Sequence, residues 1–231
     1  VATVAPDANL PEGVKALITV TLPEGATWSD GSALTSKDVV GTWDILWMRK
    51  SGTWNSLADV VALDERTIQW QITTPGPAVL DAIVRSTTPR PYSQYGKWMD
   101  AAAQQRADDA DRDGDAVKVV NDELNAFLPE GGVVYGPYNI DPASVTEAQL
   151  NMLKVPTGFN ADKIDFDLVT VYYGDTAQDL PLYLSGEMDY SSNAYSPANL
   201  DAIRAMGPQM EVLGGPATNG PGIYFNNDVY P

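Results

Sequence analysis

The sequence predicts an α/β or α+β fold in which helices flank a mixed β-sheet. Short runs rich in β-branched residues alternate with segments of helical periodicity, most clearly after residue 132. This alternation is typical of sheets covered by helices. The 231 residues include 44% hydrophobic and 9% aromatic residues, which is sufficient for a globular domain with an apolar core.

A strand followed by a helix is predicted near the start of the chain. Residues 17–22 (LITVTL) are rich in β-branched side chains, and Pro23 interrupts the run. Thr35 or Ser36 is expected to cap a helix that ends near Arg49. Apolar residues at helical spacing support this helix: Val39, Val40, Trp43, Leu46 and Trp47.

The remaining elements follow from the same patterns. A hairpin is predicted from residues 60–63 and 67–72. Further helices are predicted over 78–85, 94–110, 115–127, 176–184 and 197–205. Pro197 is expected to open the last of them, because proline suits the first turn of a helix. Further strands are predicted over 138–140, 149–154, 167–173, 188–190, 210–213 and 222–226. The Pro-Glu-Gly-Gly run at 129–132 is the best internal boundary, and it separates two predicted subdomains, 1–132 and 133–231.

Composition excludes several classes of function. The formal net charge is −17, with 31 acidic and 14 basic residues, so the surface would repel nucleic-acid phosphates and anionic lipids. The chain contains neither cysteine nor histidine. Ser-His-Asp catalysis, cysteine nucleophiles and the common zinc sites are therefore excluded within it. No run approaches the ~20 apolar residues that a membrane-spanning helix needs.

Carboxylates are the reactive groups that remain. An enzyme of this composition would use a pair of them, as glycosidases do. On a strand, Glu187 and Asp189 would share one face, although this pairing is no stronger than chance. Residues 109–114 (DADRDG) match the first half of a calcium-binding EF-hand loop, but Val120 occupies the position of the bidentate glutamate. We favour an acidic linker between two helices for this segment.

Residues 17–44 read LITVTLPEGATWSDGSALTSKDVVGTWD. This segment resembles the family 5 extracellular solute-binding proteins, which include the oligopeptide, dipeptide and nickel binders of ABC importers. In that family a strand leads through a Trp-Ser-Asp-Gly turn to a helix that starts Leu-Thr-x-x-Asp-Val. The matching residues are Trp28, Ser29, Asp30, Gly31, Leu34, Thr35, Asp38 and Val39. Their expected roles are structural, since they shape a turn and cap a helix. Pro23 departs from the pattern, because the family usually has a basic residue there.

Later blocks are similar to the family in the same order. Tyr135-Gly136-Pro137-Tyr138 resembles its Gly-Pro-Tyr turn, and residues 163–171 resemble its next strand. Residues 184–189 (LSGEMD) resemble its Gly-Glu-Ile-Asp turn, and 224–227 (YFNN) resemble the strand that ends its first lobe. The family's Asn-Pro-x-Tyr-Trp block is replaced by PTGFN at 156–160, and residues 74–132 match little.

The resemblance implies a periplasmic-binding-protein-like lobe (type II, family 5). Complete members of the family are longer and trap a solute between two lobes, so the chain is expected to be a fragment that lacks the second lobe and binds ligand weakly or not at all by itself. The implied partners are a peptide or other small solute and ABC permease subunits, without nucleic acid or a membrane span. The implied location is the extracellular face of the membrane or the periplasm, with a lipid anchor on the full-length protein. No cofactor, metal or catalytic residue is implied.

Candidate ligand-binding residues are expected on loops at strand ends, where main-chain groups and neutral polar side chains meet an extended peptide. They are Asn193, Tyr195, Ser196, Thr218, Asn219, Gly220 and Asn226. The alternative for each is ordinary surface-loop composition. Tyr92, Tyr95 and Trp98 form an aromatic cluster, for which packing under a loop is favoured over a place in a cleft wall.

Two alternatives to an import receptor stay open at this point. One is a carboxylate-dependent hydrolase such as a glycosidase, and turnover of chromogenic glycosides would favour it. The other is a receptor or chaperone that uses the same fold without transport. Neighbouring genes for permease and ATPase subunits would favour import over this second alternative.

Overall fold

In a computed structural model, the chain is described over residues 3–4, 10–84, 88–129, 131–174, 176–193 and 195–214. The chain divides into two compact units, residues 1–171 and 172–231. The subdomain boundary near residue 132 stays a prediction. On either side of it, Ser29 and Val134 exchange hydrogen bonds, with the Ser29 amide 2.8 Å from Val134 O and the Val134 amide 3.0 Å from Ser29 Oγ.

The first sheet has four antiparallel strands in the order β1-β2-β4-β3. They are β1 (Thr3–Val4), β2 (Ala16–Thr21), β3 (Leu57–Ala62) and β4 (Thr67–Ile72). β3 and β4 form the predicted hairpin. Ile68, Trp70 and Ile72 of β4 are buried, because alternate side chains of a strand point to the same face. This face of the sheet contributes to the core.

Four helices belong to the same unit: α1 (Ser36–Met48), α2 (Pro77–Val84), α3 (Tyr92–Ala107) and α4 (Asp115–Ala126). α1 contributes to two apolar cores. Val39 and Trp43 pack in the core that contains the sheet. Ile45 and Met48 pack in the core that contains α3 and α4. The position of α1 between two cores explains why it is buried on more than one face.

The second sheet contains β5 (Tyr138–Ile140), β6 (Gln149–Lys154) and β7 (Leu168–Tyr172) in that order. β5 and β6 are antiparallel, with Asn139 opposite Leu153. α5 (Thr176–Ser185) and α6 (Pro197–Ala205) follow. Pro197 opens α6, as predicted from its fixed φ and missing amide hydrogen.

The α/β fold class is confirmed, and the predicted elements up to residue 185, together with α6, are observed within a few residues of their predicted bounds. Two predicted strands, 188–190 and 210–213, are wrong, since these described residues form no strand. Gly186 has a φ of +76°, and the amides of Glu187 and Met188 donate to Leu182 O at 2.9 and 3.2 Å. The first segment therefore terminates α5.

The second segment has no sheet to join in the part of the chain that the structure describes. The Met210 amide donates to Gly207 O at 3.1 Å, as in a turn, and Leu213 is 83% exposed. A short run of this kind forms a strand only when a neighbouring strand pairs with it. The predicted strand over 222–226 lies outside the described residues.

Candidate functional site

The buried side chain of Asp38, which is 2% exposed, joins the Trp-Ser-Asp-Gly turn to the starts of two helices. Its Oδ1 accepts hydrogen bonds from Trp28 Nε1 at 3.2 Å and from the Tyr92 amide at 2.7 Å. Its Oδ2 accepts from the amide and the hydroxyl of Thr35, at 2.7 and 3.0 Å. Thr35 is the N-cap of α1, and Asp38 completes a capping box. One carboxylate therefore positions α1 and α3 against the turn.

The other residues of the turn also have structural partners. Ser29 is bonded to Val134. Asp30 accepts a hydrogen bond from the hydroxyl of Ser93 at 2.7 Å. Gly31 has a φ of +83°, a conformation that glycine adopts without a Cβ penalty. These contacts agree with the structural role expected for the motif.

A close backbone approach joins the Gly-Pro-Tyr turn to residues 156–160. A Cβ on Gly158 would lie 2.3 Å from Gly136 O, which is too close for two non-bonded atoms. The Phe159 amide donates to Tyr135 O at 2.8 Å, and the two rings stack with centroids 5.0 Å apart. Residues 156–160, which depart from the family pattern, thus pack on residues 135–138, which agree with it.

A cavity of about 1050 Å³ lies in the first unit, at the upper end of the range for pockets that take small ligands. Its walls are formed by α1, the start of α3, the segment before β5, and β5 and β6. Most of the lining side chains are apolar, and they include Leu46, Pro91, Leu128, Val133, Ile140 and Met152. Such a wall suits a ligand with apolar parts.

Arg90 is the one charged residue among the described residues that line this cavity. It is partly buried, and its guanidinium carbon lies 5.8 Å from the centroid of the Tyr95 ring. Burial and the nearby Arg49 lower the pKa of Arg90, and Tyr95 offsets part of this effect. Within the described ranges, no carboxylate forms an ion pair with it.

The predicted aromatic cluster is mainly a packing feature. Trp98 is 6% exposed, and its ring centroid lies 4.5 Å from that of Phe127 in the α3–α4 core. Tyr95 contacts both rings and also lines the cavity. Tyr92 packs partly buried against the same core. Of the three residues, Tyr95 therefore combines packing with a place in the wall of this cavity.

Two of the predicted ligand-binding residues meet at Asp179, a buried residue of α5. Its Oδ2 accepts hydrogen bonds from the hydroxyl of Tyr195 at 2.6 Å, from Asn193 Nδ2 at 2.8 Å and from Ser191 Oγ at 3.0 Å. Burial opposes ionisation, but these hydrogen bonds outweigh it and lower the pKa of Asp179. Burial, together with the bond to Asp179, raises the pKa of the Tyr195 phenol.

The remaining predicted site residues are placed differently. Ser196 is the N-cap of α6, where its Oγ accepts the amide of Asn199 at 3.3 Å. Asn193 is exposed, whereas Tyr195 is partly buried. Four further predicted residues lie outside the described residues: Thr218, Asn219, Gly220 and Asn226. The structure thus brings Asn193 and Tyr195 together through Asp179, and contact with ligand stays a prediction for all seven.

Some of the other acidic residues form structural contacts. In the linker between α3 and α4, Asp113 pairs with Lys50, and Asp111 accepts the Asp113 amide at 2.9 Å. The described residues contain no group of three or more His, Cys, Asp or Glu that could hold a metal ion. Glu187 and Asp189 are exposed and belong to no strand. The prediction that they share one face of a strand is therefore wrong.

None of the described helices is both long and apolar enough to span a membrane.

A cavity of this size and lining is a candidate for a ligand-binding or active site. Residues 15–231 match the bacterial extracellular solute-binding proteins, family 5 (middle). The chain belongs to this family of solute-binding proteins. No match was found among curated proteins.

Solved structures support the same fold. An oligopeptide-binding protein of Thermotoga maritima, bound to mannohexaose, is 20% identical, with a TM-score of 0.58 over 84% of this chain and 33% of that chain. A Bacillus subtilis oligopeptide-binding protein in complex with a nonapeptide is 15% identical, with a TM-score of 0.56 over 81% and 33%. A Borrelia burgdorferi oligopeptide-binding protein is 21% identical, with a TM-score of 0.52 over 78% and 36%. The chain spans about a third of the length of these proteins.

Sequence reasoning missed Arg90 and Asp179. Arg90 stands between Pro89 and Pro91, and the only available signal was a basic residue in a rigid segment. Nothing local marks Asp179, because its three side-chain donors follow it by 12, 14 and 16 residues.

Proposed function

We propose that the chain is part of the solute-binding component of a bacterial ABC import system and binds short peptides or similar solutes without catalysis. The observation that carries this proposal is the family match over residues 15–231. The two ligand-bound relatives support the solute class, since one is described with a nonapeptide and the other with mannohexaose. The apolar cavity agrees with a ligand that has apolar side chains.

The proposed mechanism is closure of two lobes over the solute, one of which contains this chain. A solute that contacts both lobes prefers the closed form, so it shifts the open–closed equilibrium by that difference in affinity. The closed complex would then dock on permease subunits. We place the complete protein at the extracellular face of the membrane or in the periplasm, with a lipid anchor.

The loop that contains Asn193 and Tyr195 is proposed to contact the solute. Asp179 fixes both side chains through hydrogen bonds. An exposed Asn193 in a fixed position would lose little conformational entropy on binding. Five further residues are proposed from their loop context and the family resemblance: Ser196, Thr218, Asn219, Gly220 and Asn226.

Mass spectrometry of the purified full-length protein tests the proposed function. The expected result is a co-purified peptide or similar solute that is released on unfolding. Calorimetric titration with a nonapeptide and with mannohexaose then separates a peptide ligand from a saccharide ligand. Failure of the purified protein to bind any solute would contradict the proposal, and turnover of chromogenic glycosides would favour the hydrolase alternative.

A further inference from the structure

Arg90 and Arg106 both have a partly buried guanidinium, but their surroundings differ. Arg106 donates to Asp44 Oδ1 at 2.7 Å and to Asp59 Oδ1 at 2.6 Å. No such carboxylate or side-chain hydrogen bond is found for Arg90 in the part of the chain that the structure describes. A charge that is withdrawn from water is ordinarily compensated by an opposite charge, so Arg90 lacks the partner that Arg106 has.

Neighbouring groups do not supply the missing anion. The charge that acts on Arg90 is Arg49, a second cation, which is itself bonded to the neutral side chains of Asn121 and Asn125. Two arginines therefore lie near each other without a described carboxylate, in a chain whose net charge is −17. A carboxylate that bound at Arg90 would be attracted by this guanidinium and also by the charge of Arg49.

The side chain of Arg90 also remains available for a ligand. Its main chain is fixed independently, because the Arg90 amide donates to Thr42 Oγ1 at 2.8 Å. Among the polar lining residues, Gln94, Asn139 and Tyr138 are bonded to main-chain groups. Apart from its contact with the Tyr95 ring, Arg90 is thus a charged donor without a described carboxylate or side-chain hydrogen-bond partner, in a wall that is otherwise largely apolar.

We propose that this cavity binds the carboxylate of an apolar solute and that Arg90 pairs with that carboxylate. The inference rests on the proposed solute-binding function and deepens it, since the C-terminus of a peptide with apolar side chains has this chemistry. A planar guanidinium donates two parallel hydrogen bonds to a carboxylate. Because the surrounding wall is largely apolar, such a pair would be screened less there than in bulk water.

The test compares two probes that differ only at the carboxylate. N-acetyl-Leu-Leu-Phe and its C-terminal amide are titrated separately against the 231-residue chain and followed by ligand-observed NMR. Acetylation converts the terminal amine into an uncharged amide, so the carboxylate is the one charge on the first probe. We expect the free acid to bind about tenfold more tightly than the amide, as a charge-assisted hydrogen bond provides.

Variants assign this preference to Arg90. Arg90→Gln should abolish the preference for the acid, and Arg90→Lys should retain part of it because the charge is kept. Arg112→Gln is the matched control, because Arg112 is also partly buried and lies 5.7 Å from the Trp47 ring, outside the cavity wall. It should leave the preference unchanged. Circular dichroism establishes that each variant is folded.

Equal binding of the acid and the amide, or a preference that persists in Arg90→Gln, would overturn the inference while leaving peptide binding intact. Binding of neither probe at millimolar concentration would also overturn it. The solute-binding function is then decided separately by the co-purification experiment.

Discussion

The indole nitrogen of Trp28 donates a hydrogen bond to Oδ1 of Asp38, 3.2 Å away, and both side chains are buried. The same carboxylate accepts donors from Thr35 and Tyr92. The Trp-Ser-Asp-Gly turn and the helix start that follows it therefore form one structural unit. This explains how the motif can identify the family without contacting a ligand.

Asp38→Asn should lower the free energy of unfolding by about 3 kcal/mol, because an amide group would leave buried donors without an acceptor. Urea denaturation followed by tryptophan fluorescence measures the change. Asp122→Asn, at an exposed position of α4, is the control and should cost less than about 0.5 kcal/mol. Similar losses in the two variants would argue against the role of Asp38.

Arg106→Gln should destabilise the protein more at neutral than at acidic pH. Burial raises the pKa of Asp44, and Arg106 offsets only part of that effect. A carboxyl whose folded pKa is raised contributes fully to stability below its unfolded pKa of 3.8, and the contribution is lost as pH rises through the folded pKa. Without the guanidinium this loss becomes larger.

The expected cost of Arg106→Gln is about 3 kcal/mol near pH ~7 and clearly less near pH ~4. Urea titrations at the two pH values measure it, with Arg112→Gln as the control for the change in charge. A cost that does not vary with pH would contradict the assignment to Asp44.

Arg90→Gln, unlike Arg106→Gln, should not lower the free energy of unfolding. The substitution removes a partly buried charge without breaking a hydrogen bond of the described side chains, so the free energy of unfolding should stay within about 0.5 kcal/mol of wild type or rise. Thermal denaturation of both variants tests the contrast with Arg106→Gln. A loss of more than about 2 kcal/mol would indicate a stabilising partner for Arg90.

Tyr195→Phe removes one of the hydrogen bonds that lower the pKa of Asp179, so that pKa should rise. A carboxyl with a lowered folded pKa contributes stability above its unfolded pKa of 3.8, and the contribution is lost as pH falls through the folded pKa. The variant should lose it at a higher pH than wild type does. Carbon-13 NMR of the carboxyl groups follows the titration.

The cost of Tyr195→Phe at neutral pH should be about 1 kcal/mol. Tyr190→Phe is the matched control, because Tyr190 is 79% exposed, and it should change neither the pKa of Asp179 nor stability. An unchanged titration in Tyr195→Phe would refute the proposed hydrogen-bond effect.

Gly158→Ala should destabilise the protein by about 1 to 3 kcal/mol, because the new Cβ would lie 2.3 Å from Gly136 O and the backbone would have to shift. Scanning calorimetry measures the change in melting temperature. Gly136→Ala is the control from the same contact, since a Cβ there has no neighbour within 4 Å. If the two variants melt at the same temperature, the close approach of Gly158 to Gly136 does not restrict the side chain at position 158.

Elements with local signals could be predicted from sequence alone. The start of α6 was predicted because Pro197 suits the first turn of a helix, and β4 because most of its side chains are β-branched or aromatic. The strands over 188–190 and 210–213 were wrong because composition does not provide a pairing strand. Before residues 188–190, Gly186 adopts a left-handed conformation that ends α5.

The candidate site was predictable only in part. Asn193 and Tyr195 could be predicted as neutral polar residues in a loop. Their hydrogen bonds to the same carboxylate, Asp179, depend on the fold of that loop. The cavity and the isolation of Arg90 within it could not be predicted, because the lining residues lie between positions 42 and 152 of the sequence.

The sequence by itself determined the family, through motifs in a defined order, and it excluded histidine and cysteine chemistry through composition. Only the tertiary structure decided which charges are compensated. Arg106 reaches Asp44 across 62 positions, whereas Arg90 reaches no described carboxylate. Local patterns encode helices and turns, but pairing between distant residues depends on how the chain packs, and that packing leaves one cation facing an apolar cavity.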